Sequence, residues 1–313
     1  MNGTMIELEQ ATKLYGGIPA LREVTLHVTA GETVGLLGRN GAGKTTALNL
    51  ITGYFPPTKG TVRIGGKDML ADPRGCKRMI GYLPEKSPLY DEMTVEEYLL
   101  FVSELREVAK KANRAHVGEI IELCGLQEMR HRVIGHLSKG YRQRTGIAQA
   151  LCGTPDILIL DEPTVGLDPK QTVEMRELIR ELGKEHTVLF SSHLLSEVQQ
   201  LCTRVIILHE GRMIRSIGLG TENKEIIRLR LKAAGSRDAL QAALNGLDCV
   251  VRAEAQESGE EGTAEFSLTC RRTDDKGRAT DQIFRLLAGM NAPIRLMREE
   301  EDSLEEIFLR ETE

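Results

Sequence analysis

Residues 38–46 read Gly-Arg-Asn-Gly-Ala-Gly-Lys-Thr-Thr (GRNGAGKTT), and the run Thr33–Leu37 just before them is apolar and partly β-branched. That order predicts a buried strand, a glycine-rich loop and a helix from about Lys44. The spacing is G-x-x-x-x-G-K-[ST], and each residue type in it has a physical task. Gly38, Gly41 and Gly43 let successive backbone N–H groups turn into one concavity, with Arg39, Asn40 and Ala42 supplying the peptides between them. The helix start, including Thr46, adds partial positive charge beneath a bound phosphate. Lys44 can reach the β- and γ-phosphates of a nucleotide, and the Thr45 hydroxyl suits Mg²⁺. A glycine-rich turn with a solvated lysine is the plain alternative, and the strand before and helix after weigh against it. The loop alone implies nucleotide binding at the opening of an α/β domain.

Downstream, Ile157–Pro163 (ILILDEP) is an apolar strand ending in adjacent carboxylates. Side chains alternate across a strand, so Asp161 is expected to face a magnesium shell and Glu162 a water attacking the γ-phosphate. In isolation the pair would read as solvated turn acids. Beside the loop, it adds hydrolysis to binding.

Alternation at Ile6–Leu8 and Leu26–Val28 predicts short strands, and the apolar runs 188–190 and 205–208 read as buried parallel strands separated by helical patterns. Apolar residues recur at helical spacing over Thr94–Leu105 and Ala115–Leu123, with Asp91 or Thr94 placed to cap the first helix. They predict a helical insertion over about 86–150 in an ATPase-like domain spanning 1–220. Beyond it, residues 221–313 are expected to form a small α+β domain. Its strands are expected at Ile227–Leu231, Cys249–Arg252, Phe266–Cys270 and Ile294–Leu296, with helices over Arg237–Leu244 and Thr280–Leu287. The resulting order, βαββαβ, suits a ferredoxin-like module followed by an amphipathic helix, Ser303–Leu309.

The net charge of −5 is unevenly spread: residues 1–220 carry 27 Lys+Arg against 26 Asp+Glu, and 221–313 carry 14 against 20. A neutral front and an acidic tail argue against nucleic acid as a general partner. No apolar run approaches the roughly 18 residues of a membrane span, and the N-terminus lacks a signal-peptide layout, so a soluble protein is expected. Cys76, Cys124, Cys152, Cys202, Cys249 and Cys270 are scattered without a C-x-x-C pair or a histidine at metal-ligand spacing, which reads as reduced thiols. Cys124, Cys152 and Cys202 fall in apolar helical patterns, where Cys acts as a small hydrophobe.

Over residues 5–220 the combination resembles the ABC-type ATPases. Leu137–Arg144 (LSKGYRQR) is similar to the family's signature, with Ser138 and Gly140 at positions that touch the γ-phosphate of ATP held by the opposite subunit. Lys139 and Tyr141 depart from its most familiar form, where Gly and Gln stand. The resemblance implies that Tyr15 stacks on adenine, that Asp168 in VGLDP links the two sites of a dimer, and that His193 in FSSHLLSEV donates to the γ-phosphate. It also places Glu85 where many relatives have a Gln that ligates Mg²⁺ and senses the transport partner. With IGYLPEKSPLYDEMTVEEYL and the ending SLEEIFL, the chain looks most like ATP-binding subunits of type-2 exporters of the gliding-motility and multidrug-like group.

This resemblance implies a homodimer, or a pair with a closely related ATPase subunit, that closes on ATP and Mg²⁺. It also implies separate integral membrane permease subunits and a cytoplasmic place on the inner face of the membrane. A soluble ABC ATPase acting as a nucleotide-gated binding module is the rival. It is disfavoured by a single phosphate loop and the lack of a zinc or coiled-coil insertion.

Overall fold

Tyr15-Gly16-Gly17-Ile18 reverses the chain because both glycines take left-handed backbone, φ 54° and 88°, as a two-residue hairpin turn requires. The strands it joins, β1 (Thr4–Tyr15) and β2 (Ile18–Thr29), are 12 residues each, longer than local alternation predicts. Register shifts between Leu8 and Ala11 and around Lys13 break the two-residue period while pairing continues. The computed structural model describes residues 3–219, 226–256, 262–271, 278–300 and 308, and the chain divides into two compact units between Leu219 and Gly220.

In the first unit, β3 (Thr33–Leu37) is buried at every residue and leads through the phosphate loop into α1 (Lys44–Ile51). β4 (Lys59–Ile64) and β5 (Lys67–Asp68) complete an antiparallel sheet in the order β2-β1-β4-β5. Next come α2 (Pro73–Arg78) and β6 (Ile80–Leu83). The helical stretch is α3 (Val95–Leu105), α4 (Lys110–Leu123) and α5 (Lys139–Leu151). β7 (Ile157–Asp161), α6 (Pro169–Leu182), β8 (Thr187–Ser192), α7 (Leu195–Leu201), β9 (Arg204–His209) and β10 (Arg212–Gly218) close the unit. The second sheet runs β10-β9-β3-β8-β7-β6, parallel except for its edge strand β10.

One core joins the two sheets. Ala47, Leu48, Leu50 and Ile51 of α1 pack with Ile6, Leu8, Val24 and Leu26 of the antiparallel sheet and Val34, Leu36, Ile159 and Leu189 of the parallel one. Each full burial of a Leu or Ile contributes about 1.5–3 kcal/mol, so the helix behind the phosphate loop is anchored from both sides. Arg204 adds a polar tie: its guanidinium donates to Glu32 Oε1 (3.2 Å) and Oε2 (2.7 Å) and to the His27 carbonyl (2.7 Å). Burial works against the Glu32 carboxylate, but Arg204 and the Thr29 N–H outweigh it and hold its pKa below the ordinary value.

Of the two caps expected for α3, Thr94 is the one used. Its hydroxyl accepts from Glu97 N–H (3.3 Å) while the Glu97 carboxylate accepts from Thr94 N–H (2.9 Å), a reciprocal capping box. Asp91 instead pairs with Arg142 at 2.6 Å. The six cysteines are free and buried, and Cys124, Cys152 and Cys202 each sit at the C-cap of a helix, α4, α5 and α7.

The second unit contains β11 (Ile226–Ala234), α8 (Arg237–Asn245), β12 (Val250–Gln256), β13 (Thr263–Arg271), α9 (Arg278–Gly289) and β14 (Ile294–Glu300). Its sheet is antiparallel in the order β12-β13-β11-β14. Leu229 and Leu231 alternate inward against Leu240 and Leu244 of α8 and Ile283 and Leu287 of α9. The segment Ser303–Leu309, Phe308 apart, lies outside the described residues. Among the described residues no helix is long and apolar enough to cross a membrane.

Candidate active site

α1 starts without a side-chain cap: Gly43 occupies the N-cap in left-handed backbone, φ 104°. A Cβ there would fall 2.8 Å from the Ala20 carbonyl oxygen, so this position has room for glycine alone. The first N–H groups of α1 are thereby left for an anion. In front of them lies a cavity of about 440 Å³. Arg39, Asn40, Gly41, Gly43, Lys44, Thr45 and Thr46 line it from the loop and α1, and Glu85, Glu162 and His193 line it from the ends of other strands. Gly38 and Ala42 are in the frame of the loop: the Gly38 carbonyl accepts from Lys44 Nζ (2.7 Å) and the Ala42 carbonyl from Gly211 N–H (3.0 Å). Ala20 and Val165 also line the cavity, and no motif marks them.

Glu162 is the hub. It follows the last residue of β7 in left-handed backbone, φ 49°, a conformation that costs a non-glycine residue about 1–3 kcal/mol and clusters at functional sites. This twist, rather than continued strand alternation, turns its side chain away from that of Asp161. Its Oε1 pairs with Lys44 Nζ at 3.2 Å and its Oε2 accepts from His193 Nδ1 at 2.9 Å. A carboxylate only accepts, so Nδ1 carries the hydrogen and Nε2 is the ring nitrogen left for a ligand.

Asp161 sits behind Glu162, 1% exposed. Its Oδ1 accepts from Ser191 Oγ at 2.5 Å, and its Oδ2 is buried with no completed hydrogen bond among the described residues. Burial, and after it the charges of Glu162 and Glu85, push the Asp161 carboxyl above the ordinary range; the Ser191 and Thr45 hydroxyls oppose this only in part. The orphaned oxygen of Asp161, with the Thr45 hydroxyl beside it and the Glu85 carboxylate near it, offers oxygen donors of the hard kind that suits Mg²⁺. No motif marks Ser191, although FSSH places two hydroxyls at the end of a parallel strand.

The remaining candidates lie outside this lining. Tyr15, at the hairpin turn, is 42% exposed, meets Phe55 edge-on at 6.0 Å, and has the Lys13 ammonium 5.5 Å from its ring centroid. Ser138 caps α5, accepting from Tyr141 N–H (3.4 Å), and Asp168 caps α6, accepting from Gln171 N–H (2.8 Å) with Pro169 at the first helical position. These two helix starts touch: a Cβ on Gly140 would lie 2.7 Å from the Gln171 side chain, and one on Gly166 would lie 2.0 Å from Lys139 Nζ.

Comparison with known proteins adds four findings. The family profile described as ABC transporter matches residues 21–165. The chain is 41% identical over 209 residues to the ABC transporter ATP-binding protein YxlF of Bacillus subtilis (strain 168), covering 67% of this chain and 69% of that one. It is 40% identical over 216 residues to the bacitracin transport ATP-binding protein BcrA of Bacillus licheniformis, covering 68% and 70%. A solved dimeric ATP-binding cassette in a post-hydrolysis state, bound to ADP and phosphate, superposes with a TM-score of 0.64 at 27% identity, over 69% of this chain and 99% of that one.

Proposed function

We infer the function from one premise: this chain belongs to the ABC transporter family of ATP-binding proteins. It is the ATP-binding and ATP-hydrolysing subunit of an exporter, working as a head-to-tail dimer with a second copy or a closely related ATPase subunit. Separate membrane permease subunits carry the cargo path, and the ATPase sits at the cytoplasmic face of the membrane. The observation that carries the reading is Glu162, twisted off the end of β7 into the phosphate-loop cavity and held between Lys44 and His193.

ATP lies with its triphosphate against the N–H groups of Gly41–Thr46, and Lys44 leaves its contact with Glu162 for the β- and γ-oxygens. Glu162 is then the base that takes a proton from the attacking water, while His193 donates from Nε2 to the γ-phosphate when doubly protonated. Thr45, Asp161 and Glu85 would hold Mg²⁺, which when bound neutralises charge on the β- and γ-phosphates. Tyr15 stacks on adenine, using its exposed ring. Ser138 and Gly140 serve the ATP of the partner, and Asp168, beside them, links the two sites. Closure depends on contacts to both faces of the γ-phosphate, and hydrolysis removes them. The segment Lys86–Met93, with half-exposed Tyr90, meets the permease. The second unit, read as ferredoxin-like, adjusts dimerisation or partner contact.

Replacing Glu162 by Gln tests the central role. It keeps the shape and the loop, so ATP binding should persist in calorimetry while phosphate release falls by about 10²–10⁴, the usual worth of a general base. Turnover near the wild-type rate in the Gln variant would remove Glu162 from the mechanism.

A further inference from the structure

Ser191 is the last residue but one of β8 and the register partner of Asp161 on β7. It is fully buried, and its hydroxyl is used in both directions. The O–H donates to Asp161 Oδ1 at 2.5 Å, and the oxygen accepts from the N–H of Glu162 at 2.9 Å. A serine hydroxyl has one proton. Committing it to the carboxylate leaves the lone pairs for the Glu162 amide, so the two bonds reinforce each other. The first bond occupies one oxygen of Asp161 and leaves Oδ2, which has no completed hydrogen bond among the described residues. The second pins the peptide of a residue whose backbone is left-handed, φ 49°. Ser192, the next residue, is buried too, but its hydroxyl turns the other way, to Glu197 Oε2 at 2.8 Å, so it does not substitute.

We propose that Ser191 is a positioning residue that couples the two acidic functions of the site: it selects Asp161 Oδ2 as the oxygen offered to the divalent cation and fixes the backbone from which Glu162 reaches the water. The inference rests on the roles given above to Asp161 and Glu162. It also explains how two adjacent carboxylates are kept apart in function, since one hydroxyl on the neighbouring strand holds the side chain of one and the main chain of the other.

The test uses the full chain with Ser191→Ala, Ser191→Thr and Asp161→Asn. ATP affinity is measured by calorimetry in EDTA, Mn²⁺ binding in the presence of ADP by electron paramagnetic resonance, and kcat and KM separately. Ser191→Ala should leave the EDTA affinity unchanged, weaken Mn²⁺ about tenfold through loss of a charge-assisted hydrogen bond, and lower kcat with little change in KM. Ser191→Thr, which keeps the hydroxyl, should recover most of the Mn²⁺ affinity. A Ser191→Ala chain with wild-type Mn²⁺ affinity and kcat overturns the proposal, and so does one whose EDTA affinity falls as far as its Mn²⁺ affinity. If Ser191→Ala does not fold, Ser191→Cys supplies a weaker donor of similar shape: reduced Mn²⁺ affinity supports the role, and wild-type affinity overturns it. Asp161→Asn separates the layers: loss of Mn²⁺ there with none in Ser191→Ala sinks Ser191 alone, whereas retained Mn²⁺ in Asp161→Asn sinks the reading on which it rests.

Discussion

Among the described residues Lys44 has two partners, the Gly38 carbonyl and the Glu162 carboxylate, and both hold its ammonium where a triphosphate would meet it. Lys44→Ala should therefore weaken ATP by roughly 10- to 100-fold, the equivalent of one or two charge-assisted bonds. Calorimetry checks this, and unchanged affinity would rule the contact out. The residues of the loop and the acidic pair were legible because their geometry is covalently local: nine consecutive residues make the cradle, and adjacent carboxylates end one strand. Ser191 was not, because its task exists only through pairing of Asp161 with a residue 30 positions away. Ser138 and Asp168 show the opposite difficulty. Within the chain each is an ordinary helix cap, so their placement neither needs nor identifies a ligand.

At the scale of elements, the Thr94–Glu97 box decides how firmly α3 begins. Thr94→Ala should lower stability by about 1 kcal/mol, seen as an earlier denaturation midpoint, while ATP affinity of the isolated chain is unaltered. The Glu32–Arg204 tie makes a pH-dependent contribution. Because the folded Glu32 pKa is depressed, its stabilisation is complete above the unfolded value, about 4.3, and is lost as pH falls through the lower folded value. Glu32→Gln should cost about 1–2 kcal/mol at pH 7, allowing for partial exposure, and the two denaturation curves should converge in acid. A constant gap across pH would show that the bond geometry, not the charge, is responsible. The parallel strands were readable as continuous apolar runs because both faces are covered. The long hairpin was not readable beyond its core-facing stretches, since left-handed Gln10 and Glu23 interrupt the alternation that marks a strand.

For the molecule as a whole, the residues lining the cavity all precede Leu219, so a chain ended there should keep wild-type ATP affinity. Loss of binding in a well-folded shortened chain would move part of the site into the second unit. Head-to-tail sharing has its own signature. Lys44→Ala and Ser138→Arg chains, each in a Glu162→Gln background, should form ATP-dependent dimers when mixed but not alone, because one site in the mixed pair is intact. An engineered linked dimer with one intact site is the control: if it closes and the mixture does not, Ser138 does not act across the dimer. The position of α1 between two sheets bears on a different observable, the exchange of backbone amides with deuterated solvent. Helix and floor cannot open without breaking the core that joins both sheets, so the amides of β3 and of α1 from Ala47 onward, where the backbone bonds begin, should exchange only as fast as the whole unit unfolds, with or without nucleotide. Ligand-induced slowing should appear instead in the phosphate loop and the uncapped first turn of α1, and in the loops between β7 and α6 and between β8 and α7, so that ATP acts on the rim over a floor already set.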